Sequence, residues 1–152
     1  KAVGMNVIAW TFNPSKILVS ELGLKYVGFN ALLEQSDVIS LHVNLSSKTK
    51  HIISSKEIYM MKDGVLLING GRGELIDTRF LIDALNSGKL GGAALDVFDQ
   101  EPMPQDHPLL DCENVVFTPH MADQTPEGIE LLNQGAVDNV IAYLKGNPIN
   151  VC

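Results

Sequence analysis

Short apolar runs alternate along the chain with segments whose apolar residues recur at helical spacing. The strand-like runs cover residues 6–10, 25–28, 38–43, 65–69, 93–98 and 115–118. Several of these runs are apolar at consecutive positions, which is typical of strands that helices cover on both faces. The alternation of strand and helix patterns predicts an α/β fold with a parallel sheet.

Helical patterns occupy four of the intervening segments, at residues 17–22, 30–36 and 77–87 and from residue 125 onward. The third of these ends at Gly88, a residue suited to the left-handed terminator of a helix. The last helix is predicted to begin with Thr125 as N-cap and Pro126 in its first turn. Its apolar stripe comprises Ile129, Leu132, Ala136, Val140 and Leu144, and Gly-Asn-Pro at residues 146–148 ends it.

Composition narrows the class of protein. The chain has 152 residues, of which 45% are hydrophobic and 19% charged, which suits one globular domain with a substantial core. The formal net charge of −7 argues against nucleic acid or an anionic membrane as a partner. No apolar run approaches the length of a membrane span, and the start has no signal-peptide pattern. Cys112 and Cys152 lack metal-ligand spacing, so we expect free thiols in a cytoplasmic protein.

Three short motifs each follow a strand-like run and each supplies one chemically useful side chain. They are Asn-Gly-Gly-Arg-Gly at residues 69–73, Asp-Val-Phe-Asp-Gln-Glu-Pro at 96–102 and Thr-Pro-His at 118–120. Arg72 offers a planar cation that can hold a carboxylate by two hydrogen bonds; a surface arginine in a glycine-rich turn is the simpler alternative. The three glycines beside it suggest a backbone that needs positive φ or closely approaches a ligand.

His120 and Glu101 are candidates for proton transfer. The ordinary pKa of imidazole, about 6.5, lets both protonation states exist near neutral pH, and such a general acid contributes roughly 10²–10⁴-fold in rate. A lone histidine after a strand is more often structural, but open α/β sheets bind their ligands at this edge. Glu101 taken alone is a solvated acid; beside an imidazole it would fix the tautomer and stabilise the protonated form.

The three motifs, in this order, resemble the nucleotide-binding domain of the D-isomer-specific 2-hydroxyacid dehydrogenases. The likeness runs from residues 4–8 to residues 146–148 and covers nearly the whole chain. It implies a doubly wound parallel sheet of the Rossmann type. It also implies an oxidoreductase that transfers a hydride between NAD(P)H and a small 2-keto or 2-hydroxy acid, and a homodimer in the full-length protein.

The resemblance assigns roles to individual residues. Arg72 would bind the substrate's carboxylate and carbonyl oxygen, His120 would be the acid or base, and Glu101 would hold His120. Asp96 would contact the nicotinamide end of the cofactor, with a helix or loop cap as its alternative role. The implied cofactor contacts are Thr11, His42, Val43, Asn44, Thr49, Gly70, Gly71, Arg72, Asp96, His120 and Asp123. No metal site is expected, because no histidines or cysteines have metal-ligand spacing.

Several positions depart from the family's pattern. Thr11 stands where an acidic residue usually holds the adenosine ribose and selects NAD, and Phe12 stands where many NADP-preferring relatives have arginine. Both NAD and NADP therefore remain candidates, with a slight preference for NAD. Asn44 replaces the usual proline of a Leu-His-x-Pro-Leu segment, which puts the rigidity of that loop in doubt. Asp123 and Gln124 are bulkier and more polar than usual, which suggests an altered nicotinamide pocket or substrate fit.

The glycine-rich phosphate loop of dinucleotide-binding folds is missing, because no Gly-x-Gly-x-x-Gly occurs in the sequence. We expect residues 1–152 to be a partial domain without its central first strand, its phosphate loop and the substrate domain. The chain begins at Lys1, which suggests that a segment was removed or that the chain is part of a longer polypeptide. Alone, it is expected to turn over substrate poorly. The alternatives are a non-enzymatic nucleotide-binding or corepressor-like module and an inactive fragment.

Overall fold

The computed structural model describes residues 4–151, and the chain divides into two compact units, Lys1–Pro119 and His120–Cys152. The strands of the described chain are β1 (Ile8–Ala9), β2 (Lys25–Tyr26), β3 (Val38–Leu41), β4 (Val65–Asn69), β5 (Leu90–Leu95) and β6 (Val115–Phe117). The helices are α1 (Lys16–Leu22), α2 (Phe29–Gln35), α3 (Ser55–Met60), α4 (Thr78–Asn86) and, in the second unit, α5 (Pro126–Leu144). The predicted α/β alternation is confirmed.

Strands β3, β4, β5 and β6 form one parallel sheet in that order. One face of the sheet shares a hydrophobic core with α2, α3 and α4. Side chains on β4 alternate between the faces: Val65 and Leu67 are buried, whereas Leu66 and Ile68 are 46% and 37% exposed. Helices α2, α3 and α4 all contribute to the core on one side of the sheet, and helical cover of the other face stays a prediction.

Strands β1 and β2 form a separate two-stranded parallel sheet. Among the described residues, no strand ladder joins it to the four-stranded sheet. The rings of Trp10, which follows β1, and Phe29, in α2, have centroids 4.6 Å apart and connect the small sheet to α2. The central first strand expected between β1 and β3 stays a prediction.

Helix α3 and the start of β5 differ from the sequence-based expectation. Helix α3, which the sequence analysis does not predict, begins with a capping box in which the Ser54 backbone N donates to Glu57 Oε2 at 3.2 Å. Strand β5 starts at Leu90, before the predicted start at residue 93, because Gly91 and Gly92 are poor strand formers and obscure the pattern. Each of the other five predicted runs contains the observed strand.

The second unit consists mainly of α5. Its N-cap Thr125 accepts a hydrogen bond from the Gly128 backbone N at 3.0 Å, and Gly146 beyond its end has a φ of 75°. Both predicted ends are thereby confirmed. The predicted apolar stripe is not buried, since Leu132 and Leu144 are 63% and 77% exposed. Within residues 4–151, no helix combines the length and hydropathy needed to cross a membrane.

Candidate functional site

The turn that carries Arg72 follows β4 and is held by Asn69, the last residue of that strand. The Nδ2 of Asn69 donates to the Arg72 carbonyl at 2.9 Å, and the Gly71 backbone N donates to Asn69 Oδ1 at 3.1 Å. Arg72 is exposed, and its Nη1 donates to the Gly71 carbonyl at 2.7 Å. A planar cation on a fixed turn is therefore accessible to an anion from solvent.

Of the glycines in this turn, Gly73 is the one that close packing against another backbone segment requires. Gly70, Gly71 and Gly73 all lack positive φ, so that part of the expectation is wrong. An added Cβ at Gly73 would overlap the backbone of Phe98 and Asp99, whereas one at Gly70 would meet no heavy atom within 4 Å. The close approach at Gly73 is thus to another segment of the protein, and the space beside Gly70 is open.

The contact at Gly73 brings the second motif against the first. Glu101 Oε1 accepts a hydrogen bond from the Phe98 backbone N at 2.8 Å. Because Phe98 also borders Gly73, the loop that carries Glu101 lies directly against the turn that carries Arg72. Two of the three predicted catalytic residues therefore belong to segments that touch within the first unit.

Asp96 and Thr118 follow the carboxyl ends of β5 and β6. Thr118 Oγ1 donates to Asp96 Oδ1 at 2.5 Å, a charge-assisted hydrogen bond between neighbouring strand ends. The Asp96 backbone N donates to the Asn69 carbonyl at 3.0 Å, which links it to the end of β4. Strands β4, β5 and β6 thus end in a connected polar set at the edge where parallel sheets bind ligands.

The loop after β3 carries four of the predicted cofactor contacts. His42 Nε2 lies 2.9 Å from Ser40 Oγ. Val43 and Asn44 follow in the same loop. Thr49, which is 2% exposed, donates from its Oγ1 to the Asn44 carbonyl at 2.6 Å. This buried hydroxyl fixes the loop at the position where the family's usual proline is missing. A direct contact between Thr49 and a cofactor stays a prediction.

The segment after β1 carries the predicted ribose contact. Thr11 Oγ1 accepts a hydrogen bond from the Asn13 backbone N at 3.3 Å, and the rings of Phe12 and Trp10 meet edge to face with centroids 4.8 Å apart. The sequence of residues 10–15 contains neither an acidic nor a basic residue. These residues therefore offer neither a carboxylate for the ribose hydroxyls of NAD nor a cation for the additional phosphate of NADP.

His120 and Asp123 lie in the second unit, before α5. His120 is exposed and has a φ of 53°, a left-handed conformation that costs about 1–2 kcal/mol for a residue with a Cβ. Such outliers often occur at functional sites, although His51 and Asn150 share the feature here. Asp123 Oδ1 accepts a hydrogen bond from Gln124 Nε2 at 2.9 Å.

A separate ionic cluster surrounds Asp77, the N-cap of α4. The Arg79 guanidinium donates to both Asp77 oxygens, Nε to Oδ1 at 3.3 Å and Nη2 to Oδ2 at 3.1 Å. These bonds hold the pKa of the largely buried Asp77 below its ordinary value, and the neighbouring His51 acts in the same direction. Nothing in the cluster assembles a metal site, and residues 4–151 contain no group of three potential metal ligands.

The sequence analysis missed the roles of two residues of the polar edge. Asn69 holds the turn of Arg72, and Thr118 is the hydrogen-bond partner of Asp96. Both could be found from one signal, since each is a polar residue directly after the apolar part of a parallel strand.

Comparison with known proteins identifies the family. Residues 1–122 match the model of the D-isomer specific 2-hydroxyacid dehydrogenase, NAD binding domain. The chain belongs to this family. It is 43% identical to a hydroxypyruvate reductase of Blautia hydrogenotrophica over 151 residues, which cover 99% of this chain and 47% of the reductase. The chain thus spans about half the length of the curated relatives that it matches.

Solved structures show the same likeness. A glyoxylate reductase from Paecilomyes thermophila superposes with a TM-score of 0.90 and 39% identity, covering 97% of this chain and 45% of that one. A D-lactate dehydrogenase from Aquifex aeolicus, complexed with NAD and lactic acid, gives a TM-score of 0.86 and 37% identity, covering 96% and 48%. The Rossmann-like fold expected from the resemblance is therefore confirmed.

The described residues fit a dinucleotide at the polar edge. The open space beside Gly70 leaves its backbone accessible, and Asp96 with Thr118 offers acceptor and hydroxyl groups suited to a carboxamide. Arg72 is also exposed and offers a planar cation to an anionic ligand.

Proposed function

We propose that this chain is the cofactor-binding part of an oxidoreductase that transfers a hydride between NAD(P)H and a small 2-keto or 2-hydroxy acid. The observation that carries the proposal is the connected polar edge of β4, β5 and β6, where the turn of Arg72 meets the loop of Glu101. Family membership supports the same reaction class. The substrate itself would be recognised largely by residues outside this chain.

In the proposed reaction, Arg72 pairs with the carboxylate of the acid and polarises its carbonyl group. His120 donates a proton to the carbonyl oxygen during reduction and accepts it during oxidation. Glu101 accepts a hydrogen bond from His120 and stabilises its protonated form. When bound, NAD(P)H supplies the hydride that reaches the carbonyl carbon. One proton and one hydride together convert the keto acid into the 2-hydroxy acid.

The proposed cofactor contacts are the loop after β3, the Gly70–Gly71 backbone, Asp96 and Asp123, with Thr11 beside the adenosine ribose. NAD is preferred slightly over NADP, because the chain offers no arginine at Phe12 for a 2′-phosphate. A direct comparison of the dissociation constants of NADH and NADPH tests this preference.

We also propose that residues 1–152 are part of a longer chain whose preceding segment supplies the strand between β1 and β3 and the phosphate loop. The missing ladder between the two sheets and the half-length match to relatives support this arrangement. A homodimer is proposed for the full-length protein, supported by the exposed apolar side chains of α5. A cytoplasmic location is proposed because Cys112 is a buried free thiol.

The first experiment is the intact mass of the protein as the cell makes it. A mass well above the 16.5 kDa of this chain supports the longer polypeptide, and light scattering then gives its oligomeric state. The protein should oxidise NADH or NADPH in the presence of glyoxylate or hydroxypyruvate. His120→Ala should reduce kcat by roughly 10²–10⁴-fold. Nucleotide binding without turnover would instead indicate a corepressor-like module.

A further inference from the structure

The buried carboxamide of Asn69 has no role in the chemistry described above, yet both of its polar atoms are used. Asn69 is 1% exposed, and an amide buried without hydrogen bonds would be costly. Its Nδ2 bonds the Arg72 carbonyl and its Oδ1 bonds the Gly71 backbone N. The two hydrogen bonds hold neighbouring residues of one short turn, Gly71 and Arg72, so they determine the path of the backbone at Arg72.

The main chain of Asn69 is itself held on both sides. It pairs with Leu41 of β3 and with Leu95 of β5, and its carbonyl accepts from the Asp96 backbone N at 3.0 Å. The carboxamide therefore projects from a central strand of the sheet and not from a loop. The sheet therefore supports the carboxamide, and the carboxamide in turn holds the turn of Arg72.

We propose that Asn69 is a positioning residue for Arg72, and that its carboxamide sets the guanidinium in register with the carboxylate of the substrate. This inference rests on the proposed function of Arg72 as the substrate-binding cation. A bidentate pair between guanidinium and carboxylate needs close geometric control. A misplacement of about 1 Å at a reacting site can lower the rate by about a hundredfold.

The test uses the full-length protein with hydroxypyruvate or glyoxylate and compares Asn69→Ala, Arg72→Ala and the double variant. We expect Asn69→Ala to lower kcat/KM for the keto acid by about ten- to a hundredfold. The same change in the Arg72→Ala background should have little further effect, because a residue that acts through Arg72 has nothing left to position.

A second readout does not depend on activity. Hydrogen exchange of the Gly71 amide should be faster in Asn69→Ala, because its acceptor is gone. Asn114→Ala is the matched control. The Asn114 Nδ2 also donates to backbone carbonyls, those of Leu90 and Gly91 at 3.4 Å each, but at the opposite end of the sheet. This control should leave kcat/KM and exchange at Gly71 unchanged.

If Asn69→Ala does not fold, Asn69→Ser replaces it, because serine keeps a polar group at this buried position without adding a charge and is too short to bond both Gly71 and Arg72. An unchanged kcat/KM in the folded Asn69 variant would overturn the inference. An undiminished loss in the Arg72→Ala background would also overturn it and would indicate a general structural role. If Arg72→Ala alone has wild-type kcat/KM, the proposed function of Arg72 fails, and the positioning role fails with it.

Discussion

Substitution of Gly73 by alanine tests the contact that joins the turn of Arg72 to the loop of Glu101 in the first unit. The new Cβ would overlap the carbonyl group of Phe98 and the backbone N of Asp99. These are backbone atoms, which cannot rotate away as the end of a side chain can. Either the turn of Arg72 or the loop of Glu101 must therefore move in Gly73→Ala.

The expected loss in the free energy of unfolding follows from this geometry. Insertion of one carbon into a well-packed site typically costs about 1–3 kcal/mol. We expect about 3 kcal/mol at Gly73, because the opposing Phe98 backbone is also held by its hydrogen bond to Glu101. At Gly71 the nearest atom is Leu75 Cδ1 at 3.0 Å, a movable side-chain end, so about 1 kcal/mol is expected.

Gly70→Ala is the matched control in the same turn. Its Cβ would enter open space and its φ is not positive, so the change should be neutral or stabilise by up to about 1 kcal/mol. Urea unfolding of the full-length protein measures all three variants. The expected order of midpoints is Gly70→Ala highest, then Gly71→Ala, then Gly73→Ala. Equal midpoints for the three variants would show that the close approach at Gly73 is absent.

Three further perturbations test other parts of the structure. Thr118→Val should lower the free energy of unfolding by about 1 kcal/mol and weaken NADH binding, because Asp96 loses a hydrogen-bond donor; Thr118→Ser should retain both. Leu66→Ala should cost about 2–5 kcal/mol in the full-length protein if the preceding segment covers this face, and under about 0.5 kcal/mol if the face is solvated. Arg79 keeps the pKa of Asp77 below its ordinary 3.8, so the ionised carboxylate stabilises the fold above that pH and less so as the pH falls through the folded-state pKa. The stability difference between wild type and Asp77→Asn, from urea midpoints, should therefore shrink as the pH falls below 3.8.

The predicted elements succeed where burial and periodicity agree. Strand β4 coincides with its predicted range, and its alternate residues enter the core. The ends of helix α5 are recovered from its caps, since Thr125 and Gly146 act locally and need no tertiary contact. Helix α3 is too short for a periodic signal, and its capping box around Ser54 was the available sign.

The candidate site was predictable only in part. The motifs place Arg72, Glu101 and Asp96 after strands, and the topology of a parallel sheet then gathers strand ends at one edge. The pairing of Thr118 with Asp96 depends on the order of β5 and β6, which no local pattern specifies. The positive φ expected of the glycines was wrong because the constraint at Gly73 comes from a distant segment and not from the turn itself.

These contacts explain how a short turn with little freedom of its own can present a cation. Asn69 bonds the turn at Gly71 and Arg72, and Gly73 is pressed against the next loop, so the backbone on both sides of Arg72 is held. The guanidinium alone is left to adjust when a carboxylate arrives. Binding then costs the ordering of one side chain, about 0.5–1.5 kcal/mol, and not that of a whole loop. A fixed turn with one movable cation therefore suits recognition of a small acid, which offers too few atoms to order a flexible segment.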